Sequence, residues 1–188
     1  MDRQIKIVGV CGSLRKDSVN KKLLDLVKAM LPENVEYEYA DYSDVPVFNE
    51  DIEKPVPESV QRLKDQIEGA DIVLFATPQY NGSYSGPLKN AIDWMTRPAG
   101  DNSIGGKVAG VIGGTPGQSG TIQAQLHLRE VLSHLGVQVP AQPRVMISGI
   151  YDMLDDNGNL HLPEFEVENY KKMLDALFVQ VEAKLVRA

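Results

Sequence analysis

Three short stretches combine small, polar and charged side chains in ways that could hold a ligand. The first, residues 12–20, reads Gly12-Ser13-Leu14-Arg15-Lys16-Asp17-Ser18-Val19-Asn20 and follows an apolar run. A strand, a small-residue turn and a helix start leave backbone N–H groups pointing at an anion, and the helix dipole adds to the attraction. Ser13 and Ser18 add hydroxyls, Arg15 adds a fork for a phosphate and Asn20 adds an amide. The same residues also read as an ordinary helix cap at Ser18 with solvated bases beside it.

The second stretch, residues 78–87, contains Pro78, Gln79, Tyr80, Asn81, Gly82 and Ser83. Tyr80 offers a flat contact to a ring, and Asn81 with nearby amides offers hydrogen bonds to its polar edge. Gly82 and Gly86 let main chain approach closely. The third stretch, residues 113–120, includes Gly114, Thr115 and Gly117, which would admit a ring edge. The plain alternatives are a turn-rich surface loop and a flexible connection that caps the next helix through Ser119.

Other chemistries lack their residues. There is no G-x-G-x-x-G and no G-x-x-x-x-G-K-[ST], so the Rossmann and P-loop fingerprints are missing. A phosphate cradle with neither suits a mononucleotide such as FMN. No H-E-x-x-H or G-x-S-x-G occurs. His127, His134 and His161 are scattered, and we expect no metal site. The one cysteine, Cys11, excludes an internal disulfide and reads as a small buried hydrophobe.

These stretches need a scaffold, and the hydrophobic pattern supplies it. Apolar runs cover residues 5–10, 35–40, 72–77, 108–114, 137–141 and 144–148. Several are apolar almost throughout, as in strands buried on both faces of a parallel sheet. Helical stripes alternate with them: Val19, Leu23, Leu26, Val27 and Met30; Val60, Leu63 and Ile67; Leu88, Ala91, Ile92 and Met95; Ala124, Leu128, Val131 and Leu135. A last helix from about Pro163 turns Val167, Tyr170, Leu174, Leu177, Phe178, Val181 and Leu185 inward. Trp94 lies off its helix's stripe, and we expect it at a packing or subunit contact. The expectation is an α/β, doubly wound five-stranded parallel sheet with helices on both faces, spanning 1–188 as a single domain. In such sheets ligands bind beyond the carboxyl ends of the strands, where all three stretches fall.

The 188 residues suffice for one sizeable core. A net charge of −7 repels phosphate backbones and anionic lipid, so we expect no nucleic-acid and no membrane partner. No signal peptide is visible, and a cytoplasmic location is expected.

Together the motifs resemble the NADPH-dependent FMN reductase family, including its quinone and chromate reductases. Gly12, Ser13, Leu14, Arg15, Ser18 and Asn20 match the family's G-S-L-R-x-x-S-x-N. Pro78, Tyr80 and Asn81 match P-E-Y-N, and residues 88–94, with Gly86, match G-x-L-K-N-A-I-D-W. Gln125, His127, Leu128 and Arg129 are similar to its fourth helix. Gln79 departs from the pattern, standing where the family has glutamate.

The resemblance implies a flavodoxin-like fold. It implies FMN held at its phosphate by Ser13, Arg15, Ser18, Val19 and Asn20, with the ring near Pro78, Gln79, Tyr80, Asn81, Gly82 and Ser83 and near Gly114, Thr115 and Gly117. NADPH or NADH would be the co-substrate, and a quinone, flavin, azo dye or metal anion the acceptor. A homodimer or homotetramer is implied. No catalytic side chain is required, since the flavin carries the chemistry. The alternative is a flavodoxin-like electron carrier that does not oxidise NAD(P)H.

Overall fold

A computed structural model gives the structure of residues 3–187. Its strands are β1 (Ile5–Cys11), β2 (Val35–Tyr39), β3 (Ile72–Ala76), β4 (Val108–Gly114) and β5 (Val145–Ile147). Its helices are α1 (Val19–Met30), α2 (Glu58–Gly69), α3 (Gly86–Met95), α4 (Ile122–His134) and α5 (Glu164–Arg187). The strands form one parallel sheet in the order β2-β1-β3-β4-β5. This is the expected flavodoxin-like order, and its direction of winding reverses between β1 and β3, which opens a crevice at their carboxyl ends.

Both sheet faces are covered, which is why β3 and β4 are buried at every residue. Side chains alternate between two cores. Ile5, Ile7, Ile72 and Leu74 meet Leu23, Val27, Tyr170 and Leu177 of α1 and α5. Val8, Val10, Val73 and Phe75 meet Leu63, Ile67, Leu88, Ile92 and Leu128 of α2, α3 and α4. The expected stripes of α2 and α3 face the sheet, whereas in α1 Leu24 is fully buried and Leu26 and Met30 are only half-buried. In α4, Leu132 is buried where Val131 and Leu135 are only half-buried.

Two further expectations need correction. Residues 137–141 do not form a regular strand; a single bridge joins Gln138 to Val108. Pro140 and Pro143 remove two ladder donors there, and pairing resumes only in the short β5. Leu185, in the last turn of α5, is 47% exposed. Of the two roles expected for Trp94, it takes packing within the chain, where it is fully buried. Its indole Nε1 donates to Pro46 O at 2.8 Å, and its ring meets Phe48 edge-on at 4.9 Å. Through Trp94 and Asn90, α3 anchors the proline-rich segment after β2.

Candidate functional site

The β1–α1 loop is shaped from both ends. Gly12 N donates to Ala76 O, tying the loop to β3. Ser85 Oγ donates to Gly12 O from the second loop. Ser18 is the N-cap of α1; its Oγ accepts from Lys21 N at 3.4 Å. The amides of Leu14, Lys16 and Asp17 have no protein partner among the described residues. Those of Val19 and Asn20 open the helix, where no intrahelical acceptor exists. The cap reading and the anion-cradle reading therefore hold at once: one hydroxyl caps, and the neighbouring amides stay open.

Asn20 has a different job from the one its motif suggests. Its side chain is buried, Nδ2 donating to Gly114 O at 3.1 Å and Oδ1 accepting from Gly114 N at 2.9 Å. Both polar atoms thus face main chain of the third loop. A Cβ at Gly114 would sit 2.3 Å from Ile150 Cδ1, and one at Gly113 only 2.3 Å from Thr77 O. Gly114 lets β4, α1 and the segment after β5 close on one another, and Gly113 lets β4 close on Thr77 and Thr121.

The second loop turns sharply. Tyr80 and Ser83 exchange both backbone hydrogen bonds at 2.9 Å, with Asn81 (φ 49°) and Gly82 (φ 78°) at the tip. Positive φ at both central residues makes a type I′ turn, for which Asn-Gly is the favoured pair. The turn rests on α4: Ser83 Oγ lies 3.1 Å from His127 Nδ1. Gln79 reaches the same helix. Its Oε1 accepts from Gln123 N at 3.1 Å and Ala124 N at 3.2 Å, and Nε2 donates to Ser119 Oγ at 3.5 Å. Thr121, the residue at the N-cap of α4, makes no side-chain cap bond, so Gln79 supplies the cap from another loop.

These loops meet in one cleft. Ser13, Arg15, Ser18, Val19 and Asn20 line it from the first loop, Pro78, Gln79 and Tyr80 from the second, and Gly114 and Thr115 from the third. Asn81, Gly82, Ser83 and Gly117 are not among its lining residues; the first three form the turn beside it. Two residues that the sequence did not single out complete the lining, Pro116 and Tyr151. Tyr151 lies in the 3-10 turn Ile150–Met153, and its hydroxyl accepts from Arg15 Nη1 at 3.0 Å. Tyr80 is 52% exposed, leaving aromatic surface free at the cleft. Among the described residues no cluster of three His, Cys, Asp or Glu could hold a metal.

The sequence profile of the NADPH-dependent FMN reductases matches residues 5–152. An NAD(P)H-dependent FMN reductase of Pseudomonas aeruginosa is 41% identical, over 94% of this chain and 95% of its own. A 2-hydroxy-1,4-benzoquinone reductase from a Burkholderia species is 39% identical, over 83% and 85%. Among solved structures, the flavoenzyme NAD(P)H:(acceptor) oxidoreductase FerB of Paracoccus denitrificans superposes with a TM-score of 0.86 at 38% identity, over 95% of this chain and 98% of its own.

Proposed function

The chain belongs to the NADPH-dependent FMN reductase family, and from that premise we propose how its cleft serves the reaction. The protein is an FMN-dependent oxidoreductase that draws electrons from NAD(P)H. What FMN supplies when bound is two-electron transfer between a nicotinamide and an acceptor.

The observation that carries the site assignment is the convergence of an open-amide loop and an exposed aromatic on one cleft. A phosphate at the start of α1 would meet the free amides, the Ser13 hydroxyl and the Arg15 guanidinium. Arg15 is held toward the cleft by Tyr151. Asn20 contributes by fixing Gly114 and leaves the phosphate to its neighbours. Pro78, Gln79, Tyr80, Gly114, Thr115 and Pro116 form the ring end of the cleft. The N-terminus of α4 lies behind Gln79, and its positive field favours negative charge gathering at that end.

A quinone is the acceptor class that the benzoquinone-reducing relative supports. Leu14, Tyr80, Ile122, Leu126 and Tyr151 are exposed apolar residues of the cleft rim and α4, and they suit a second subunit in a homodimer or homotetramer. A cytoplasmic location is part of the same reading; no helix among the described residues is long and apolar enough to cross a membrane.

Anaerobic mixing of FMN-loaded protein with NADPH and then NADH tests the site assignment when run beside Arg15→Ala. Rapid loss of flavin absorbance is expected for the unaltered chain, with FMN retention falling in the variant. Unchanged FMN affinity in the variant would remove Arg15 from the phosphate seat. A stable bound flavin that neither donor bleaches would turn the reading to an electron carrier.

A further inference from the structure

A second cavity, of about 410 Å³, lies against the same β1–α1 loop toward the end of β2. Arg15, Lys16 and Lys21 line it, with Tyr39, Ala40 and Tyr42 supplying apolar wall. None of these three cations stands in an ion pair among the described residues. Arg15 bonds only the neutral Tyr151 hydroxyl, and Lys21 Nζ rests 5.6 Å from the centre of the Tyr39 ring. One carboxylate, Asp41, also lines the cavity, and its Oδ1 is taken up by Ser43 N at 3.1 Å and Ser43 Oγ at 2.9 Å. In a chain of net charge −7, three unpaired cations against one satisfied carboxylate make a local positive site.

This cavity adjoins the flavin cleft: Ser13 and Arg15 line both. A donor that sits in this cavity and reaches a flavin held in the neighbouring cleft must be extended, and must bring an anion with an apolar or aromatic body to the second cavity. A dinucleotide has those parts in that order. We infer that the second cavity seats the phosphorylated adenosine end of NADPH, with Lys16 and Lys21 reading the 2′-phosphate that NADH lacks. The inference rests on NAD(P)H being the electron donor. Both lysines lie outside the flavin cleft, so they discriminate between donors without touching the cofactor seat.

Calorimetric titration of FMN-loaded protein with 2′,5′-ADP and with 5′-AMP tests this. The 2′,5′-ADP should bind roughly tenfold tighter, as expected for one charge-assisted contact, and its advantage should shrink as salt is raised. The variant Lys21→Gln should reduce the advantage severalfold, leaving 5′-AMP binding and the flavin spectrum unchanged. Equal binding of the two nucleotides, or an advantage that survives undiminished in the variant, overturns the assignment. Bleaching of the flavin by NADPH and by NADH separates the two failures: bleaching with a flat titration removes only the phosphate seat, whereas no bleaching by either removes the donor reading beneath it.

Discussion

Asn20 and Gly114, far apart in sequence, pair through both polar atoms of the Asn20 side chain and both backbone groups of Gly114, at 3.1 and 2.9 Å. The pair is buried, so neither member can fall back on water. Asn20→Ala leaves a donor and an acceptor of Gly114 unmatched and should cost about 2 kcal/mol, near 1 kcal/mol per bond. In a domain of this size that lowers Tm by about 4–8 °C. Urea unfolding of the FMN-free protein measures it without the contribution of bound ligand. Asn20→Asp keeps the acceptor but sets a carboxylate against Gly114 O, and should be no better than alanine. A cost below about 0.5 kcal/mol for both would mean that the bonds are exchanged freely for water.

Gln79 caps α4 from across the cleft. Gln79→Ala should destabilise the chain by about 1 kcal/mol, as loss of a cap does. Gln79→Glu retains both accepted bonds and adds a charge that the helix N-terminus favours by about 0.3–1 kcal/mol. The same charge opposes reduction of the flavin. A tenfold bias against the reduced form would lower the two-electron potential by about 30 mV, readable by dye-coupled titration. A potential left unchanged by Gln79→Glu would show that this side chain does not act on the ring.

Tyr151 holds Arg15 by a single hydrogen bond at 3.0 Å. Tyr151→Phe keeps the ring and removes only that bond. FMN should bind about two- to fivefold more weakly, the effect of one modest hydrogen bond. Fluorescence titration of free FMN measures this. Combining Tyr151→Phe with Arg15→Ala should add nothing to the arginine variant, and full additivity would argue that the two act separately.

Burial pushes the Cys11 thiol above its ordinary value of 9.0, outweighing the opposing pull of the Ser13 backbone and the Ser18 hydroxyl. A thiol whose folded value is raised favours folding below the unfolded value and loses that contribution as pH climbs through the folded one. Alkaline conditions above pH 9.0 should therefore weaken the fold through Cys11. At about pH 8 the native thiol should react with a disulfide reagent far more slowly than the urea-unfolded chain, because the thiolate is the nucleophile. Equal rates would place Cys11 in open solvent.

The sheet was legible because β3 and β4 are apolar at nearly every position, a local property of consecutive residues. The open-amide loop was legible for the same reason, since Ser18 and the small residues before it act on their own neighbours. Residues whose partners lie far along the chain were misread or missed. Tyr151 meets Arg15 from 136 positions away, and Gln79 caps a helix 44 positions later. The amide of Asn20 could have faced a phosphate or the end of β4, and only the packing of Gly114 against α1 decides between them. Trp94 was left open between packing and a subunit contact because the segment that covers it, around Pro46, carries no periodic signal.

The burial of Trp94 also gives the chain an internal optical gauge. It is the one tryptophan of the sequence, held dry against Phe48 and fixed at its nitrogen by Pro46 O. Excited at the indole band, the chain has a single emitter of that kind, and its colour depends on whether the segment after β2 remains clasped to α3. Detachment of that segment wets the indole and shifts its emission to the red before the sheet itself need open.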